Sequence, residues 1–148
     1  MSTWFRGNLA YLSNFFPCSV TVSIEGKEYT FKDSEAAFQA FKCPERAQEF
    51  TYRTKGNAKK HGKEVPLRPD WEQIKDDVMY NCVKAKFTQN PYLMERLLQS
   101  PDILVENNTW GDTYWGAVNG RGKNMLGLIL MQIREEERIR RSKMVESN

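Results

Sequence analysis

Only one histidine, His61, occurs in the 148 residues, and the three cysteines, Cys18, Cys43 and Cys82, lie far apart with no CxxC pair. Neither a disulfide framework nor a zinc site is supported by that pattern, so no metal and no cofactor is expected. The longest apolar run, residues 125–131, is far too short to span a bilayer, and no basic segment followed by an apolar run opens the chain. A cytoplasmic protein with no membrane partner is expected. Strong charge is also missing: a net charge of +3 and a pI near 8.7 fall short of a dedicated duplex binder and favour phosphorylated small molecules. The basic run RIRRSK, residues 138–143, reads as a solvated helix end rather than a nucleic-acid arm. There is no 20 to 50 residue repeat and no low-complexity linker, so residues 1–148 are expected to form a single compact domain with a frayed, charged tail from about 136. No obligate protein partner is evident.

Gly, Asn and aromatics are concentrated in one stretch, residues 105–128, VENNTWGDTYWGAVNGRGKNMLGL. Its five glycines, Gly116 among them, permit close backbone approach, while four asparagines, Asn124 included, offer donors and acceptors. Trp110, Tyr114 and Trp115 present flat surfaces for a base or sugar. Asp112 is the lone carboxylate between Glu106 and Glu135. Long connections of this kind are usually functional, so the stretch is expected to be a site loop.

Before it, residues 5–17 lack any periodicity and read as an ordered loop. Val20, Val22 and Ile24 alternate with polar residues, EGK follows as a turn, and Tyr29 and Phe31 resume the alternation, which predicts a β-hairpin. Asp33 or Ser34 suits the N-cap of a helix carrying Glu35 in its first turn. At about 100° per residue, Glu35, Gln39 and Lys42 share one face beside Phe38. The same stripe would equally suit exposed, helix-stabilising charges. Residues 45–55 read as helical, residues 57–61 as a further short helix ended by Gly62, and His61 as a surface residue among lysines. Arg68 sits between two prolines that can aim its guanidinium at an anion. From Trp71 to Phe87 an apolar stripe of Trp71, Ile74, Val78, Cys82 and Ala85 predicts a helix, with Lys86 at its margin, where such lysines commonly snorkel to solvent. Pro91 starts another helix that Pro101 stops, ILVE suggests a short strand, and residues 125–141 form a last helix. The expected class is therefore mainly α (α+β), with a small N-terminal β-hairpin.

LSNFFP (12–17), SEAAFQAFK (34–42), AKKHGKEVPLRPDW (58–71), AKF (85–87) and WG followed by GKNMLGLILMQIR (122–134) occur in an order and spacing that resemble the NADAR family, which includes the YbiA-like proteins. The likeness covers about residues 5–134. Two positions depart from it: Ala36 and Ala37 follow Glu35 where the family usually reads EHYFQ, and WGAV stands at residues 115–118 where it often reads WGDG.

The resemblance implies a mainly helical fold and cleavage of N-glycosidic bonds in ribose-phosphate compounds without a metal. Foremost is removal of ADP-ribose from modified guanine, free or within nucleic acid, and the alternative is cleavage of phosphoribosylaminopyrimidine intermediates of riboflavin synthesis. A catalytically silent ADP-ribose-binding module is a third reading. It has no use for the acid, base and amine groups of Glu35, Lys42 and Asp112, which are the catalytic candidates. Substrate contacts are expected from Asn14, Phe15, Gln39, Arg68, Trp71, Lys86, Trp115, Gly116 and Asn124, with Lys86 second to Lys42 as a nucleophilic amine.

Overall fold

A computed structural model describes residues 4–146. Helices dominate, with one two-stranded antiparallel sheet. The chain groups into two units, residues 14–90 and a second made of the segment up to Ser13 together with Pro91 onward. No helix among the described residues is long and apolar enough to cross a membrane.

Residues 14–90 begin with the hairpin β1 (Val20–Ile24) and β2 (Lys27–Phe31), in register from Val20 opposite Phe31 to Ile24 opposite Lys27. Glu25 and Gly26 both take positive φ, 51° and 81°, so the two-residue turn is of the type whose twist matches paired strands. Val20, Ile24 and Phe31 face inward. The outer edge of β1 is covered at one point by Gln89, whose amide accepts from Thr21 N–H and donates to Thr21 C=O, both at 2.8 Å.

Helix α1 (Ser34–Ala40) is the hub of this unit: all seven of its residues are buried, and it packs on β1, β2, α2 (Lys55–Glu64), α3 (Trp71–Gln89) and the 3₁₀ segment Pro44–Phe50. So short a helix cannot hold itself by propensity and depends on this packing. Its start is set by the Asp33 carboxylate, which accepts from Ala36 N–H at 2.8 Å, while Asn14 C=O accepts from Glu35 N–H at 3.0 Å. Several expected boundaries shift. Residues 45–55 are not one helix: the 3₁₀ segment carries a non-helical Arg46 and ends at Phe50. Gly62 does not end α2 but lies buried inside it. His61 is not a surface residue, since its ring lies 4.9 Å from the Phe50 ring and Nε2 meets Glu49 Oε1 at 2.7 Å.

The buried face of α3 comprises Trp71, Val78, Met79, Cys82, Val83, Lys86 and Phe87. It is wider than the predicted stripe and rotated about one position toward Lys86, which carries that lysine from the margin into the interior.

In the other unit a 3₁₀ segment, Gly7–Leu12, interrupts the expected N-terminal loop, and Tyr11 Oη donates to Arg96 C=O at 2.9 Å in α4 (Pro91–Leu98). Helix α5 runs unbroken from Met125 to Glu146, five residues past its predicted end. Fraying from about 136 is not what the structure shows: Glu137 is buried and binds Arg140 and Arg141, and Arg141 also pairs with Glu95. Buried Arg134 donates to Ser100 Oγ, Pro101 C=O and Asp102 C=O, satisfying carbonyls left open beyond the end of α4. Residues 103–106 form no strand; after them, isolated bridges pair Asn107 with Ala117 and Val118 with Arg121.

Candidate active site

Glu35 stands in the first turn of α1 with 9% of its surface exposed. Its Oε2 accepts from Gln39 Nε2 at 2.6 Å, one turn along, and Oε1 takes no protein hydrogen bond among the described residues. Burial pushes the carboxyl above the usual glutamate range, and the Gln39 N–H and nearby Lys59 and Lys42 pull only partly against that. Such a carboxyl can hold a proton at a pH where an exposed glutamate has lost it. The reading of this stripe as exposed surface charge is overturned, since Glu35 and Gln39 are both buried.

Lys42 follows the end of α1, its N–H bonded to Gln39 C=O at 3.1 Å in a tighter turn. Its ammonium lies 5.7 Å from the centroid of the Trp71 ring, which in turn packs 5.1 Å from Phe38. Partial burial lowers the amine below the ordinary lysine value, Glu35 works against this, and Lys63 and Lys59 reinforce it. Trp71 is buried at the start of α3, so one ring serves both core and lysine.

Lys86 is fully buried, with its ammonium 5.2 Å from the Phe87 ring centroid and 5.9 Å from that of Phe16. Snorkelling does not occur. Burial brings its pKa down to about 8, against the opposing pull of Cys18 and Asp33. Asp33 itself joins two helices, accepting from Ala36 N–H through Oδ1 and from Lys55 N–H through Oδ2. The sequence reading assigned it only the first of these. Nothing in local spacing announces the second, because Lys55 is 22 positions away.

Asn14 braces the start of α1. Its Oδ1 accepts from Ser34 Oγ at 2.9 Å and its Nδ2 donates to Met79 Sδ at 3.4 Å. Phe15 beside it is half-buried. Arg68 is less available than its flanking prolines suggested, because it donates to both carboxylate oxygens of Asp70, at 2.7 and 3.2 Å, and to Phe41 C=O. A phosphate would have to compete with that fork. The structure thus gathers Asn14, Glu35, Gln39, Lys42, Trp71 and Lys86 in the unit built around α1.

The other candidates, Asp112, Trp115, Gly116 and Asn124, belong to the cross-braced loop of the second unit. Asp112 Oδ1 accepts from Tyr114 N–H at 3.0 Å and Trp115 N–H at 2.9 Å, while Asn108 bonds to the Asp112 backbone through both ends of its amide. Asp112 therefore shapes this loop. Asn124 is committed as well, accepting from Glu106 N–H and donating to Leu104 C=O, each at 2.9 Å. Trp115 meets Tyr114 edge-on at 4.8 Å, and a side chain on Gly116 would overlap Glu106. Ala117, where an acid was the family expectation, is buried, and its N–H bonds to Glu106 C=O.

A family model described as "NADAR domain" matches residues 4–138. Among characterised sequences, a riboflavin biosynthesis protein of Vibrio vulnificus is 37% identical over 135 residues, covering 87% of this chain and 36% of that protein. N-glycosidase YbiA of Shigella boydii is 37% identical over 121 residues, covering 78% of this chain and 74% of that one. The chain thus spans little more than a third of the Vibrio protein's length. The NMR structure of the E. coli protein YbiA superposes with a TM-score of 0.77 at 34% identity, over 95% of this chain and 89% of that one.

Proposed function

The chain belongs to the NADAR domain family, and from that membership we propose that it hydrolyses N-glycosidic bonds of ribose-phosphate compounds, with ADP-ribose linked to guanine as its substrate. The observation that carries the chemistry is Glu35: nearly buried, fixed through one oxygen by Gln39, and held above the usual glutamate range. Breaking a C1′–N bond needs a proton for the departing nitrogen and tolerance of positive charge at C1′. Glu35 in its protonated form supplies the proton. Water then adds to C1′, and its surplus proton restores the carboxyl.

Where the linking nitrogen is exocyclic, a second route is open. The ribose ring opens as O4′ takes a proton and C1′ becomes an imine carbon. A neutral lysine adds to C1′, the base leaves as its amine, and water hydrolyses the lysine imine to the free sugar. That route requires an amine that is neutral near physiological pH, and Lys42 and Lys86 are both lowered by burial. Lys42 is the proposed nucleophile because it follows directly on the helix that carries Glu35, whose charge acts on its amine.

The lack of an acid at Ala117, where family members often carry one, tilts the reading toward guanine-linked ADP-ribose. A second reading is cleavage of a phosphoribosylaminopyrimidine intermediate, which the Vibrio relative's name as a riboflavin biosynthesis protein supports. Incubation with each compound followed by mass spectrometry separates the two, with release of ADP-ribose from guanosine as the expected result. Borohydride added during turnover should leave one ADP-ribose mass on the Lys42 peptide, or one ribose-phosphate mass with the pyrimidine substrate. An adduct on Lys86 would transfer the amine role, and an active enzyme with no adduct, also active as Lys42→Ala, would leave direct hydrolysis.

A further inference from the structure

Gln39 presents an unusual pair of ends. Its Nε2 donates to Glu35 Oε2 at 2.6 Å, while its Oε1 is buried without any hydrogen-bond donor among the described residues. Opposite that oxygen lies Gly62, inside α2, where a glycine weakens a helix for no local reason. A Cβ at Gly62 would overlap Gln39 Oε1, stand 2.8 Å from the carboxamide carbon and 3.4 Å from the Gln39 Cβ. The hydrogen that replaces it therefore points at Oε1, a weak C–H donor to an oxygen that has no better one. The opposite amide orientation would set a buried NH₂ against that carbon-bound hydrogen and an oxygen against Glu35, losing a donor on one side and repelling an ionised carboxylate on the other.

We propose that Gly62 is a positioning residue for the reaction: the space it leaves sets the Gln39 carboxamide with its N–H toward Glu35 Oε2, so that Glu35 carries its acid proton on Oε1. This rests on the reading of Glu35 as the acid. An oxygen already accepting a hydrogen bond is the poorer base of the two, and the proton goes to the one that takes no protein hydrogen bond among the described residues. A methyl group on Gly62 would push the far end of Gln39 aside and break its bond to Glu35, leaving burial less opposed.

The test needs no substrate. Glutamate labelled with ¹³C at Cδ is titrated by NMR in the full chain, with Glu35 assigned by its loss in Glu35→Gln, and wild type is compared with Gly62→Ala, Gln39→Ala and the double variant. Gly62→Ala should raise the Glu35 titration midpoint by about one pH unit, the size expected for losing a hydrogen bond to a charged group. Gln39→Ala should match it, and the double variant should shift no further. Gly62→Ala that folds and titrates as wild type overturns the proposal. If Gly62→Ala does not fold, the double variant decides, because a shortened residue 39 gives the methyl group room. Folding of the double variant with the Gln39→Ala midpoint supports the role, and failure of the double variant to fold where Gln39→Ala folds reduces Gly62 to a helix-packing residue. Absence of turnover on both candidate substrates would overturn the glycosidase reading and leave these midpoints standing.

Discussion

Asp33 Oδ2 accepts the backbone N–H of Lys55 at 2.9 Å while its Oδ1 accepts that of Ala36 at 2.8 Å, so one buried carboxylate holds the starts of α1 and α2. Orphan N–H groups at buried helix starts are costly. Asp33→Ala should lose about 2–4 kcal/mol of unfolding free energy in urea, the sum of two such bonds. Asp33→Ser, able to cap α1 alone, should recover about half. Wild-type stability in Asp33→Ser would mean that the Lys55 bond carries nothing.

Glu35→Gln should fold and lose turnover by at least ~10²-fold, the size expected for a positioned acid. Stability supplies an independent check. The folded-state pKa of Glu35 lies above its unfolded value, so its contribution is fully present below the ordinary glutamate range and is lost as pH rises through the raised folded value. Glutamine never ionises. The stability of Glu35→Gln relative to wild type should therefore grow with rising pH across that window, in urea titrations at a series of pH values. A difference that stays constant would place Glu35 in an environment no drier than the surface.

Asp112 separates from Glu35 by its bonds. One of its oxygens holds Tyr114 and Trp115 N–H, an arrangement that an asparagine carbonyl can reproduce and a methyl group cannot. Asp112→Asn is expected to keep more than about a tenth of the activity, whereas Asp112→Ala should lose about 1–2 kcal/mol of stability together with protection of the loop amides in hydrogen exchange. A loss of turnover in Asp112→Asn as large as that in Glu35→Gln would restore Asp112 to the reacting groups.

Lys86 gives a pH dependence of the opposite kind. Its folded pKa of about 8 lies below the ordinary 10.5, so its contribution to stability is fully present above 10.5 and is lost as pH falls through about 8. The 2.5-unit difference corresponds to roughly 3 kcal/mol at 1.36 kcal/mol per unit. Relative to Lys86→Met, the wild type should gain stability between pH 8 and 10.5 by an amount of that order. A flat difference would show that the amine reaches water.

Much of this molecule was legible in order along the chain. The alternation around EGK specifies the hairpin, Pro91 and Pro101 bracket α4, and an oxygen-bearing residue before Glu35 announces the start of α1, because turn chemistry, φ restriction and capping all act within a few residues. The family motifs likewise sit in the sequence as written. Burial does not, because it depends on what another element brings from far away. Spacing alone put Glu35 and Gln39 on one face and left open whether it lay on the surface; the packing of α2, α3 and the hairpin around seven residues decided that it is largely buried. Periodicity set Lys86 at the margin of a stripe, and a rotation of about one position carried it fully inside. Gly62 reads locally as a helix stop, yet the reason for its missing side chain is a carboxamide on another helix. Arg68 and Asp112 looked free to meet a ligand because a sequence lists charges and not their partners. Asp70 and the backbone of Tyr114 and Trp115 became those partners only once the chain was folded.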